Sequence, residues 1–89
     1  MNDERDDAKS NPDDLVGMIV KDRNILVGKP TIRGTRLAVE FIVARLAAGW
    51  TKDELLENFP SLTEEGIRAC LAYAAQSVRA ERVFTLALT

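Results

Sequence analysis

The sequence predicts a small, mainly α domain: a short N-terminal β-hairpin followed by three helices, the last two arranged as a helix-turn-helix. Three observations carry this prediction. Apolar residues recur at helical spacing near 39–47 and again from 67 to 78. Between them Thr51-Lys52-Asp53-Glu54 reads as a capping box that opens a short helix. Upstream, the apolar triplets Met18-Ile19-Val20 and Ile25-Leu26-Val27 flank Lys21-Asp22-Arg23-Asn24, whose Asp and Asn favour a turn.

The elements follow in order. Residues 1–14, MNDERDDAKSNPDD, lack apolar periodicity and carry a net charge of −4, which predicts a disordered acidic tail. The folded domain then spans 15–89. Its two short strands are too small to stand alone and need helices or a second chain to cover them. Gly28 to Leu37 is read as a loop, with Pro30 keeping Lys29 extended and Gly34 free to take positive φ.

Val39, Ile42, Val43, Leu46 and Ala47 define one face of the first helix, and Gly49 stops it. The second helix runs from the capping box to about Asn58, with Trp50 placed to pack on Leu55 and Pro60 beyond its end. Thr63 caps the third helix, and Glu64 and Glu65 suit its first turn. The apolar stripe of that helix is Ile67, Cys70, Leu71, Ala74 and Val78. Tyr73 falls on the polar side with Arg68, Gln76 and Arg79, and the helix is expected to end near Glu81. Val83 to Leu88 is readable as a C-terminal strand or as more of the helix, and it needs a cover in either form.

Composition excludes several functions. The 89 residues hold one cysteine, Cys70, and no histidine. Intramolecular disulfides, imidazole or thiolate zinc sites and Ser-His or Cys-His nucleophiles are therefore ruled out. The acids of the helices read as caps and solvated faces, so no enzyme, metal or cofactor is expected. No apolar run nears the ~20 residues of a membrane helix. The acidic N-terminus is unlike a secretory signal, so the cytoplasm is the expected compartment.

The overall charge of −2 conceals a segregation, because residues 21–36 carry +4. That local balance is what phosphate would meet. Arg33 and Arg36 can enter a groove or fork onto phosphate oxygens. They can equally pair with Glu40 or with the acidic tail, and physics alone leaves the two readings level. At the start of the third helix, Glu64 and Glu65 oppose phosphate, and Arg68 is the sole cation in its first two turns. Cys70, on the apolar stripe, reads as a buried, inert thiol.

The string Gly28-Lys29-Pro30-x-Ile32-Arg33-Gly34-Thr35-Arg36 resembles a motif of the small prokaryotic family known as domain of unknown function 433. So do Ala48-Gly49-Trp50, Glu54-Leu55-Leu56, Phe59-Pro60-x-Leu62-Thr63 and Ile67-Arg68-Ala69-x-Leu71-Ala72-Tyr73-Ala74. The match spans roughly residues 15–84. The resemblance implies a homeodomain-like or winged-helix-related helix-turn-helix fold. It further implies an antitoxin of VapB type that dimerises, binds operator DNA to repress its own operon, and covers a PIN-like ribonuclease toxin with a terminal segment. The expected DNA contacts are Lys29, Thr31, Arg33, Gly34, Thr35 and Arg36, then Arg68 and Tyr73. The expected toxin contacts are Val83, Phe84, Leu86 and Leu88. The alternative is a protein-interaction module that uses the helix-turn-helix only as a scaffold.

Overall fold

The structure, a computed structural model, describes residues 11–88, with side chains described as far as Arg79. The described chain is mainly helical. In order it forms α1 (Pro12–Val16), β1 (Ile19–Lys21), a 3-10 turn (Leu26–Gly28), β2 (Pro30–Ile32), α2 (Val39–Ala47), α3 (Lys52–Asn58) and α4 (Glu64–Leu88). The two strands pair antiparallel, with Ile19 opposite Ile32, Val20 opposite Thr31 and Lys21 opposite Pro30. The core gathers Ile32, Val39, Ile42, Leu55, Leu62, Ile67 and Cys70 between the hairpin and the three longer helices.

The capping signals act as the sequence predicts. Thr51 Oγ1 accepts from the Glu54 amide, and Glu54 accepts from the Thr51 amide. Thr63 Oγ1 accepts from the Gly66 amide at 3.0 Å. Gly49, at φ +101°, closes α2 with two paired bonds. Its own amide donates to the Leu46 carbonyl, and the Trp50 amide donates back to that of Arg45. This is a complete Schellman motif, which a residue with a Cβ would enter only under strain. Trp50 and Phe59 are half-buried against the core. Trp50 stacks on Phe59 at 6.4 Å, and Phe41 meets Phe59 edge-on at 5.3 Å.

Four expectations are corrected. The acidic tail, where described, is not disordered at its end. Asn11 caps α1 by accepting from the Asp13 amide, Pro12 takes the first turn, and Leu15 is buried on α4. Residues 1–10 lie outside the described residues. The second strand is Pro30–Ile32, inside the expected loop, and not Ile25–Val27. Leu26 and Val27 instead take left-handed backbone at φ 49° and 56°, which no strand can hold.

Among the side chains of α4 that are described, Gly66, Ile67, Ala69 and Cys70 are buried. Leu71 is 46% exposed and Val78 60% exposed, so neither belongs to the core stripe, while Tyr73 packs against the core. The cause is that α1 and α2 meet α4 on different sides, and no single stripe describes a helix with two such contacts. Finally, α4 does not end near Glu81. It continues to Leu88, so 83–88 is helix and not strand. After Gly66 it contains neither glycine nor proline, and alanine, arginine and leucine favour its continuation.

Candidate nucleic-acid interface

The basic segment is not an open loop. Beyond β2 the chain turns back on itself. The Ile32 amide donates to the Leu37 carbonyl at 3.0 Å, and Thr31 bridges to Ala38. Arg33, Gly34, Thr35 and Arg36 form the tip of this second, tighter hairpin. The Thr35 amide donates to the Ile32 carbonyl at 3.0 Å, and Gly34 takes φ +80° at the third position. A turn with positive φ there favours glycine. Thr35 Oγ1 donates to the Ile32 carbonyl at 2.8 Å and accepts from the Leu37 amide at 3.0 Å. Thr35 thereby locks the tip, and its hydroxyl is occupied inside the turn.

The tip is seated on the domain at both flanks. Arg33 donates through Nη2 to the Gly17 carbonyl at the end of α1, 2.9 Å away, and its amide donates to the Met18 carbonyl at 2.7 Å. Ile32 packs close to Gly66 in the first turn of α4, where an added Cβ would stand 3.4 Å from Ile32 Cδ1. The hairpin therefore seats the base of the tip, at Ile32, close to the start of α4.

The expected contacts separate on this frame. Arg36 is exposed and has no hydrogen-bond or ion-pair partner among the described residues. Arg33 is exposed but spends one donor on Gly17, and a guanidinium keeps others. Glu40 is paired, as one expectation had it, but with Lys29 at 2.7 Å and not with either arginine. Thr31 is fully buried, its hydroxyl turned to the Val20 carbonyl 3.5 Å away, so it cannot touch a ligand. Tyr73 is half-buried, lining a shallow pocket with Val39 and Val43 on the α2 side. Val83, Phe84, Leu86 and Leu88 lie on α4, with side chains outside the described residues.

At the start of α4, Lys52 pairs with Glu64 across the α3–α4 turn. Their hydrogen bond, then their mutual charge, holds the Glu64 carboxyl below its ordinary value and the Lys52 ammonium above its own. Glu64 is thus matched locally, leaving Glu65 as the unmatched acid of that turn. Arg68, exposed one turn on, stands beside α1, sharing a groove with Leu15, Leu71 and Ala72. Arg33 and Arg68, distant in sequence, therefore both lie near the same short helix, Arg33 at its end and Arg68 beside Leu15. That helix was missed in the sequence, although Asn-Pro-Asp-Asp is a helix-start signature: a cap, a proline at the first turn and two acids. Cys70 is buried, and burial pushes its thiol up to about 11.

These features define a small, mainly α domain with a two-stranded antiparallel hairpin, which carries a rigid basic tip beside α1 and the first turns of α4. The chain belongs to the DUF433 family, described as "Protein of unknown function (DUF433)", which it matches over residues 19–74. The crystal structure of a DUF433 member protein from Anabaena variabilis is similar to it, with a TM-score of 0.66 and 30% identity, over 90% of this chain and 79% of that one. The uncharacterized protein y4eO of Sinorhizobium fredii is 38% identical over 79 residues. That match takes in 84% of this chain and 36% of the relative, so the chain spans about a third of its length. Among the described residues no helix is long and apolar enough to cross a membrane.

Proposed function

We propose that this chain is a DNA-binding regulator with a homeodomain-like helix-turn-helix, α3 and α4. It acts as a homodimer in the cytoplasm as the antitoxin of a PIN-like ribonuclease, and it represses its own operon. The observation that carries this reading is the fixed basic tip. Arg36 is presented without a described partner, Arg33 is bonded to the residue that ends α1, and Arg68 lines the groove beside Leu15 of α1. Phosphate contacts need cations held in register on a rigid frame, and helices entering a groove contact it through their first turns. The Lys52–Glu64 pair lowers the repulsion that the start of α4 would otherwise offer to phosphate. The reading assigns no reaction, and the described residues contain no cluster of His, Cys, Asp and Glu able to hold a metal.

The test is fluorescence anisotropy with DNA from upstream of the chain's own gene, across several salt concentrations. Arg36→Ala and Arg68→Ala should each weaken binding and reduce the slope of log affinity against log salt by up to ~1. Thr31→Val should leave the slope unchanged, because Thr31 is buried. Affinity that is absent, or indifferent to both arginines, overturns the DNA assignment. The second reading is a protein-interaction module, and the exposure of Leu71 and Val78 on α4 favours it. Retention by a neighbouring PIN-like protein without any DNA binding would establish that reading instead.

A further inference from the structure

The side chains of the tip, from Arg33 to Arg36, offer donors and no free acceptor. Thr35 is the one among them able to accept a hydrogen bond, and its hydroxyl is engaged inside the turn both as donor to the Ile32 carbonyl and as acceptor from the Leu37 amide. Gly34 has no side chain, and an added Cβ there would meet nothing within 4 Å, so the apex is bare. Of the cations in this segment, Lys29 is paired with Glu40 and Arg33 is held on the Gly17 carbonyl. Arg36 is exposed and has no partner among the described residues.

A donor-only tip distinguishes the two grooves of DNA. In the major groove each base pair shows both donors and acceptors. In the minor groove an A·T pair shows acceptors alone, adenine N3 and thymine O2, whereas a G·C pair adds the donating 2-amino group of guanine. A guanidinium donates and cannot accept, so it matches the A·T minor groove and is opposed there by guanine. The competing contact is in the major groove, where an arginine forks onto guanine O6 and N7. Such a fork needs its plane held by neighbouring groups, and no group among the described residues holds that of Arg36. A narrow A·T groove asks less, because it concentrates negative potential and attracts arginine by charge and width. The bare apex at Gly34 permits close approach of the backbone, and Arg33 keeps donors for a flanking phosphate.

We propose that Arg36 enters the minor groove of A·T-rich duplex DNA, with Gly34 at the groove edge, and that this insertion sets a preference for A·T over G·C. The proposal rests on the DNA reading above and deepens it by naming the groove and the base pairs.

The test is fluorescence anisotropy of the full chain with three duplexes of equal length. The central segment is a run of A·T pairs in the first, G·C pairs in the second and inosine·cytosine pairs in the third. Inosine lacks the 2-amino group of guanine, so the third duplex carries the minor-groove edges of A·T and the major-groove edges of G·C. The wild type should bind the A·T and inosine duplexes alike and the G·C duplex roughly tenfold more weakly. Arg36→Lys keeps the charge on a more strongly hydrated head, so it should hold the salt slope while losing most of the preference. Arg36 is exposed, so circular dichroism melts should show the variants folded. An inosine duplex that binds like the G·C one, or equal affinities for all three, overturns the proposal and leaves DNA binding standing. So does a preference that survives Arg36→Ala. Binding to none of the three overturns the DNA reading itself, and this proposal with it.

Discussion

Lys52 and Glu64 stand at the first residues of α3 and α4, and their side chains pair across the turn between the two helices. Each helix start already favours acids, so the lysine in the first turn of α3 is placed for its partner and not for its own helix. The pair links the two helix starts directly. It also matches one of the two acids, Glu64 and Glu65, in the first turn of α4.

The pair makes stability depend on pH in a defined direction. The folded Glu64 carboxyl lies below its ordinary 4.5, so its contribution is complete above that value and is lost as pH falls through the lowered one. The Lys52 ammonium lies above its ordinary 10.5, so its contribution holds below that value and is lost as pH rises beyond it. Lys52→Gln should therefore return the Glu64 titration, followed by carboxyl carbon NMR, to the ordinary range. Both groups are open to solvent, so molar salt should shrink the difference between wild type and variant. A Glu64 midpoint that does not move in Lys52→Gln would refute the pairing.

Cys70 should be silent toward thiol reagents at neutral pH until the domain opens. Its side chain is fully buried and its thiol is pushed up to about 11 from 9.0 by burial alone. The unfolded thiol loses its proton first, so stability should fall as pH rises from about 9 toward 11, by roughly 2 kcal/mol at the upper end. Urea melts of wild type and Cys70→Ala across that window measure the difference. Parallel pH dependences, or rapid labelling of the native thiol, would contradict the burial.

Val27 should be improvable. It holds φ 56° while 91% exposed, so the backbone is strained and almost no burial compensates. A β-branched side chain is poorly suited to that region, which asparagine visits more readily. Val27→Asn should raise stability by about 1 kcal/mol, a gain of ~4–8 °C in Tm for a domain of this size. Gly34→Ala should do the reverse and cost about 1 kcal/mol. Space is open around it, yet φ +80° penalises any Cβ. Thermal melts of the two variants moving in the same direction would contradict this account.

What could be seen in the sequence was whatever rests on local chemistry. The capping box at Thr51, the Thr63 cap, the Gly49 stop and the Asp22–Asn24 turn depend on residues within a few positions of one another, and each forms as its side chains require. The basic segment and its glycine turn were equally visible. Where local signals compete, the sequence could not choose. Ile25-Leu26-Val27 has more strand character than Pro30-Thr31-Ile32. The second triplet becomes the strand because Ile32 can reach the core beside Gly66 and Thr31 can be buried between β1 and Ala38.

The sequence by itself determined a small, mainly helical domain, its helix starts, its family and the concentration of positive charge in one segment, because caps, periodicity and charge are properties of neighbouring residues. The tertiary structure alone decided which cations are available. Lys29 is matched by Glu40, Arg33 is tied to Gly17, Thr31 is sealed inside, and Arg36 is left open at the tip. It also decided that Leu71 and Val78 face outward while Tyr73 turns toward the core. The reason is geometric. A side chain's partner in these cases lies eleven or more residues away, on an element whose position is set only when the whole core closes.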